Sequence, residues 1–220
     1  MSEQTGGRGA QLPVQDVVRE VVIPAGVAGP DQLVMDVRCY AVAQPEGIVV
    51  IDTGMPDADA GIAAAVEALG GDWSDVRDIV LTHLHMDHVG SLFAVAERAP
   101  HAAIYAGGPD SPDIRSPRHV SPISEGAMVQ DLEILATPGH TPGHISLFHE
   151  GTGTLFVGDA AGSSHGHVVR GPSAFMSDAG RAEESLERIA ALGPERVLFA
   201  HGAEVASPAD ALARMIGGPH

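Results

Sequence analysis

Residues 83–88 read His-Leu-His-Met-Asp-His, which places four possible metal ligands within six positions. Imidazole nitrogen suits zinc and its first-row neighbours, and a carboxylate adds neutralising charge. In an extended segment, alternation puts His83, His85 and Asp87 on one side. His88 then joins from the turn that follows. The segment thus offers two ligands to each of two cations. A solvated loop accounts for it poorly, because four such groups behind an apolar stretch repel one another or need partners.

Three weaker signals lie downstream. His140 sits within Thr137-Pro138-Gly139-His140-Thr141-Pro142-Gly143-His144, where proline and glycine on both sides fix a tight loop. His144 begins the next apolar segment and reads as a buried, supporting residue. Asp159 leaves the apolar run Phe156-Val157-Gly158, and His201 leaves Leu198-Phe199-Ala200. Alone, a strand-exit aspartate caps a turn as readily as it binds metal, and a strand-exit histidine is more often structural.

The elements that must position these groups follow from periodicity and turn residues. Strands are expected over residues 17–23, 33–43, 48–52, 78–82 and 102–106. Helices are expected over 57–69, capped by Asp57, and over 91–98, stopped by Pro100. Residues 107–125 and 162–180 read as long loops, a class that is often functional. A second half starts at 127–136. It continues with a hairpin of 144–149 and 154–157, a helix over 182–192, a strand over 196–200 and a final helix opened by Ser207-Pro208. Each candidate ligand sits just after a strand or on a loop.

The 220 residues suit one domain, with residues 1–12 a Gly-rich tail and 13–220 the domain. The single cysteine, Cys39, excludes an internal disulfide and reads as a buried, inert thiol. A net charge of −17 would repel nucleic acid phosphates. No apolar run is long enough to span a bilayer, and the first residues lack a secretory core. The expectation is a cytoplasmic protein that meets neither nucleic acid nor membrane.

Taken together with Ile51-Asp52-Thr53-Gly54, these motifs in this order resemble the metallo-β-lactamase superfamily, in its glyoxalase II-like branch. The resemblance runs from about Val17 to Ala213. It implies an α/β fold, a four-layer αββα sandwich of two mixed sheets flanked by helices. It also implies the site: His83, His85 and His140 on a first metal, Asp87, His88 and His201 on a second, and Asp159 bridging. Asp52 would order the ligand loops through hydrogen bonds. The cofactor expected is two zinc ions, with iron or manganese compatible with the same donors.

The activity implied is hydrolysis of a small-molecule ester, thioester or lactone. Water held between two cations loses a proton near neutral pH and attacks the carbonyl carbon. Asp87 would accept a proton beside it. Two cations add +4 locally, so an anionic substrate is compatible with the negative chain.

Departures narrow the resemblance. Only nineteen residues follow His201, with Arg214 the sole basic one, unlike the glutathione-binding region of glyoxalase II. Quorum-quenching lactonases carry a tyrosine three residues after the bridging aspartate, where this chain has Gly162. True β-lactamases of this motif type lack the aspartate and are exported. A related thioesterase remains the first expectation. The alternatives are a persulfide dioxygenase-like enzyme with one iron on His83, His140 and Asp159, and a non-catalytic metal-binding module. Met55, Met86, His165 and Arg170 are candidate substrate contacts, Arg170 for an anionic group. His101, His119, His149 and His220 read as surface residues.

Overall fold

In the computed structural model, residues 11–27 and 29–217 are described. The first sheet runs in chain order. It begins with the antiparallel strands β1 (Val14–Ile23), β2 (Leu33–Gln44) and β3 (Gly47–Ile51). Next come β4 (Val76–Leu81), β5 (Ala103–Gly107) and β6 (Ser121–Ile123), each parallel to its predecessor. Parallel pairing needs crossovers. Helix α1 (Asp59–Ala68) carries the chain from β3 to β4, and α2 (Met86–Val89) with α3 (Leu92–Arg98) carries it from β4 to β5.

The second sheet has the order β13-β10-β9-β8-β7. Strands β7 (Met128–Val129), β8 (Leu132–Ala136), β9 (Ile145–His149) and β10 (Thr154–Gly158) pair antiparallel. Strand β13 (Arg196–Phe199) lies parallel to β10, reached through α4 (Ala179–Ala191). A separate ribbon, β11 (Gly162–Ser164) and β12 (His167–Val169), precedes α4, and α5 (Pro208–Ile216) packs on α4 and β12.

Strand alternation builds four layers. Tyr40, Val42, Val49, Ile51 and Val80 point between the sheets, where they meet Ile134, Leu147, Phe156 and Leu198. Their neighbours Cys39, Ala41, Ile48, Val50, Ile79 and Leu81 face the other way, under α1 and α3. In the second sheet Leu155, Val157, Val197 and Phe199 pack under α4 and α5. Strands covered on both faces need uninterrupted apolar runs, as residues 48–51 and 79–81 supply. The result is the expected αββα sandwich. Cys39 is buried, and burial pushes its thiol pKa up, which keeps it protonated and inert.

Several expectations are corrected. Asp57 does not cap α1: it takes a left-handed φ of 69°, and the helix starts two residues later. Ser91 instead holds the segment that leads into α1, since its Oγ accepts the Ala58 N–H at 2.8 Å and donates to Met55 O at 2.7 Å. The expected loop 107–125 contains β6, with Pro122 tolerated because β6 is an edge strand. The loop 162–180 contains the β11–β12 ribbon and the start of α4, capped by Asp178. Most of the 1–12 tail lies outside the described residues, but Leu12 is buried in the core between the sheets. Among the described residues, no helix is long and apolar enough to cross a membrane.

Phe156 lies at the centre, fully buried and edge-on to Tyr40 at 5.4 Å. Phe156→Ala is expected to cost about 3–5 kcal/mol of stability. Urea unfolding of the two proteins measures this, and a loss below about 1 kcal/mol would mean the two sheets do not close on this residue.

Candidate metal centre

Strands β3, β4, β10 and β13 deliver their exits to one rim of the sandwich. Asp52 follows β3 with φ 59° and is almost fully buried. Its carboxylate accepts the Thr82 N–H at 2.7 Å and His88 Nδ1–H at 2.8 Å. The Thr82 hydroxyl lies 2.9 Å and 3.1 Å from the same carboxylate and 3.1 Å from His83 Nδ1. Thr82 therefore donates to Asp52 and accepts His83 Nδ1–H. That tautomer leaves the Nε2 lone pair of His83 facing inward.

The segment after β4 is extended only through His85, which stands at the start of α2 with ψ 152°. Asp87 and His88 then lie on that single helical turn, whose His88 N–H bonds His85 O at 2.9 Å. Strict alternation through Asp87 is thus replaced by a turn, which brings His88 back against His83, with 3.9 Å between ring centroids.

His140 comes from the β8–β9 loop and His201 from the end of β13. His201 Nδ1–H donates to Asp36 O at 2.8 Å, which turns Nε2 inward. His144 has the expected supporting role. A donor chain runs from its Nδ1–H through Thr137 Oγ1 and Ser146 Oγ to Val157 O. Its Nε2 then accepts the Asp159 N–H at 2.9 Å. Gly158 is required there: it has φ 58°, and a Cβ would lie 2.6 Å from that nitrogen.

The donors fall into interlocking groups. His83, His85 and His140 form one, Asp87, His88 and His201 another, and His83, His88 and Asp159 a third. Within each group the ligand atoms lie within 4.8 Å of one another. His85 Nδ1 is 3.1 Å from His83 Nε2 and 2.8 Å from His140 Nε2. Asp159 spans the set. Its Oδ2 is 3.2 Å from His140 Nε2, while its Oδ1 is 3.2 Å from both His88 Nε2 and His201 Nε2. Asp87 Oδ2 lies 3.5 Å from His201 Nε2 and 3.7 Å from His88 Nε2.

These residues fit a pair of divalent cations. His88 Nε2 and Asp159 Oδ1 are buried and make no hydrogen bond, although they sit 3.2 Å apart. Buried polar atoms seldom go unpaired, and two aimed into one cluster point to a ligand between them. The charge states of His83, His140 and Asp159 agree, whereas a cation must displace a proton from His88. Burial, aided by neighbouring imidazoles, pushes His83 well down and His140 down to about 4, so both are neutral lone-pair donors near pH 7. Burial opposes the charge of Asp159, but His201 and His88 outweigh it and hold the carboxyl well below its ordinary value. Burial likewise opposes protonation of His88, and Asp159 with Asp52 outweighs it, so its pKa is raised.

The other candidates are distributed along an adjoining cavity of about 860 Å³, lined by Met55, Met86, His165 and Arg170 as well as by the cluster. His165 is exposed, with φ 50° at the β11–β12 turn. Arg170 cannot readily anchor a ligand: Nε and Nη2 bind both oxygens of Glu183, and Nη1 binds Met215 O. His101 and His119 are exposed, His149 is half-buried, and His220 lies outside the described residues.

One positioning residue escaped the sequence reading. Asp110 is fully buried and accepts from Thr141 Oγ1 at 2.6 Å and Gly143 N at 2.7 Å, which clamps the loop that carries His140. In sequence it stands in Gly-Gly-Pro-Asp-Ser-Pro, where an aspartate reads as a turn residue. Thr82 had a better signal, since it directly precedes the histidine motif.

An αββα sandwich with a His/Asp cluster at the strand exits defines a class of metal-dependent enzymes. The chain belongs to the metallo-beta-lactamase superfamily, whose family model matches residues 34–201. It is 30% identical to a probable metallo-hydrolase, YflN, of Bacillus subtilis, over 73% of this chain and 77% of that protein. It is 36% identical to the hydroxyacylglutathione hydrolase of Aeromonas salmonicida over 55% of this chain, spanning only 45% of that enzyme. Among solved structures it is similar to TTHA1623 in a di-iron-bound form, with 27% identity and a TM-score of 0.66, covering 90% of this chain and 98% of that one.

Two outcomes follow. Protons and cations compete for the same lone pairs, and His88 and His201 hold theirs above the ordinary histidine pKa. Lower pH favours the proton, so apparent zinc affinity should rise with pH through neutrality, by about tenfold per pH unit for each proton released. Competition titrations against a chromophoric chelator measure this, and a flat profile would contradict it. Asp52→Ala should weaken cation binding by about 10–100-fold, because His88 loses the partner that orients it. Unchanged affinity would reduce Asp52 to a folding role.

Proposed function

We propose that the protein is a dinuclear metal-dependent hydrolase of small carbonyl substrates of the ester, thioester or lactone type. His83, His85 and His140 would hold one cation and Asp87, His88 and His201 the other, with Asp159 shared between them. The observation that carries this reading is the reach of Asp159, whose Oδ2 lies 3.2 Å from His140 Nε2 and Oδ1 3.2 Å from His88 Nε2, with His201 Nε2 3.2 Å from both oxygens. Such a pair, when bound, supplies an acidified water and a Lewis acid for the carbonyl oxygen.

The chain's own groups prepare the rest. His83, His85 and His140, whose pKa values burial lowers, would serve the first cation as neutral donors. Asp87 is partly exposed at the mouth of the cluster, within reach of a proton released there. Asp52, Thr82 and His144 fix the tautomers and orientations of the ligands. Zinc suits these donors, and the di-iron form of the similar TTHA1623 makes iron the second candidate.

Metal analysis of the purified protein should find two cations per chain, with turnover of a thioester, lactone or ester panel that a chelator abolishes and zinc restores. Asp159→Ala should lose at least one cation and reduce turnover at least about a hundredfold, as removal of a main electrostatic stabiliser does. Full activity in verified metal-free protein would sink the proposal. Iron with persulfide-dependent oxygen uptake and no hydrolysis would replace it.

A further inference from the structure

We infer that the part of the substrate remote from the scissile carbonyl is an uncharged, apolar chain. This deepens the proposed hydrolase reading and rests on it. The cavity beside the cluster, about 860 Å³, lies towards the upper end of the range for small-molecule sites. One wall is the loop end of the β1–β2 hairpin. There Val21 stands opposite Met35, and Ile23 opposite Leu33, and all four side chains line the cavity. The facing wall carries Val169 and Phe175, and Met55 and Met86 adjoin the cluster itself. Met86 is 64% exposed, and Leu33 and Met35 on the hairpin are half-buried. Large apolar groups left open together beside a polar cluster mark a binding surface.

The charges around this wall select against an anion. Arg170 is the one cationic side chain lining the cavity among the described residues, and it is bound to Glu183 through both carboxylate oxygens. Asp36 is paired with Arg38, and Glu204 with Arg196. Glu20 lines the cavity with no ion pair among the described residues. A carboxylate on the far end of a substrate would meet Glu20 and apolar side chains, with no free cation to compensate its desolvation. A methylene chain would instead gain about fourfold in affinity for each carbon moved out of water.

Binding can be read without turnover. Zinc-loaded protein carrying methyl-13C methionine would be titrated with acetohydroxamate, octanohydroxamate and the monohydroxamate of suberic acid, whose chain ends in a carboxylate. The hydroxamate group anchors each ligand at the cations. Octanohydroxamate should bind at least about fiftyfold more tightly than acetohydroxamate and shift the Met35, Met55 and Met86 methyls while Met128 stays put. The suberic compound should bind at least about tenfold more weakly than octanohydroxamate. Met35→Ala should shrink the first ratio and Glu20→Lys the second. Equal affinity across the series, or tighter binding of the carboxylate-ended chain, would overturn this inference and leave the hydrolase reading standing. No binding of any of the three would overturn both.

Discussion

A carboxylate buried among imidazoles is the constraint around which the molecule is built. Asp159 retains only 10% side-chain exposure and is surrounded by His83, His88, His140 and His201. An ionised carboxylate in such a place is costly unless something compensates it. Here His201 and His88 overcome the burial penalty and keep it charged. The same burial acts in the opposite sense on His83 and His140, which it strips of protons. One desolvated pocket thus holds neutral nitrogen donors beside charged oxygen donors. That combination has little value to a protein core and considerable value to a divalent cation.

Reaching this arrangement requires both sheets. The parallel pairs β3/β4 and β10/β13 point their carboxyl ends at one rim, the location where open α/β sheets generally bind ligands. Bonds between the sheets close the sandwich at the same place. Ile145 N donates to Thr82 O, Arg38 N to Ala200 O, and Tyr40 OH to Phe199 O at 2.5 Å. Each bond ends on a residue one or two positions from a candidate ligand or from its support. Closing the core and setting the ligand geometry are therefore largely the same event, and core packing is felt at the site.

This coupling explains what could be read from sequence. The inward and outward alternation of residues 39–42, 48–51 and 79–81 reports directly on the sandwich, because each strand has two different faces to satisfy. The histidine motif is equally legible, since no ordinary strand exit needs four ligands. Features that depend on distant partners were not legible. Asp57 has the residue type of a cap, yet it takes a left-handed φ ahead of α1, and Ser91 from another segment holds the entry to that helix. Asp110 has the residue type of a turn, yet it is a buried clamp on the loop of His140. Arg170 looked available for a ligand until α4 supplied Glu183. The convergence of Asp159 and His201 on the histidine motif needed either the family's pattern or the coordinates, because each alone is an unremarkable strand exit.

The fate of the arginines bears on how a chain of charge −17 can still handle a polar reaction. Arg170 lines the cavity, Arg38 and Arg196 line a smaller one that shares Gly202 and Glu204 with it, and each is tied to an acidic neighbour. Among the described residues, no arginine or lysine lining the cavity is free of an acidic partner. Two divalent cations would carry +4, of which Asp87 and Asp159 offset half. The surplus is confined to the floor of the cavity, where a carbonyl would be polarised. Further out stand Glu20 and the apolar side chains of the hairpin. Attraction at the reacting centre and selection along the wall are thereby separated in space. A single site can favour carbonyl chemistry while discriminating against charge elsewhere in the same molecule.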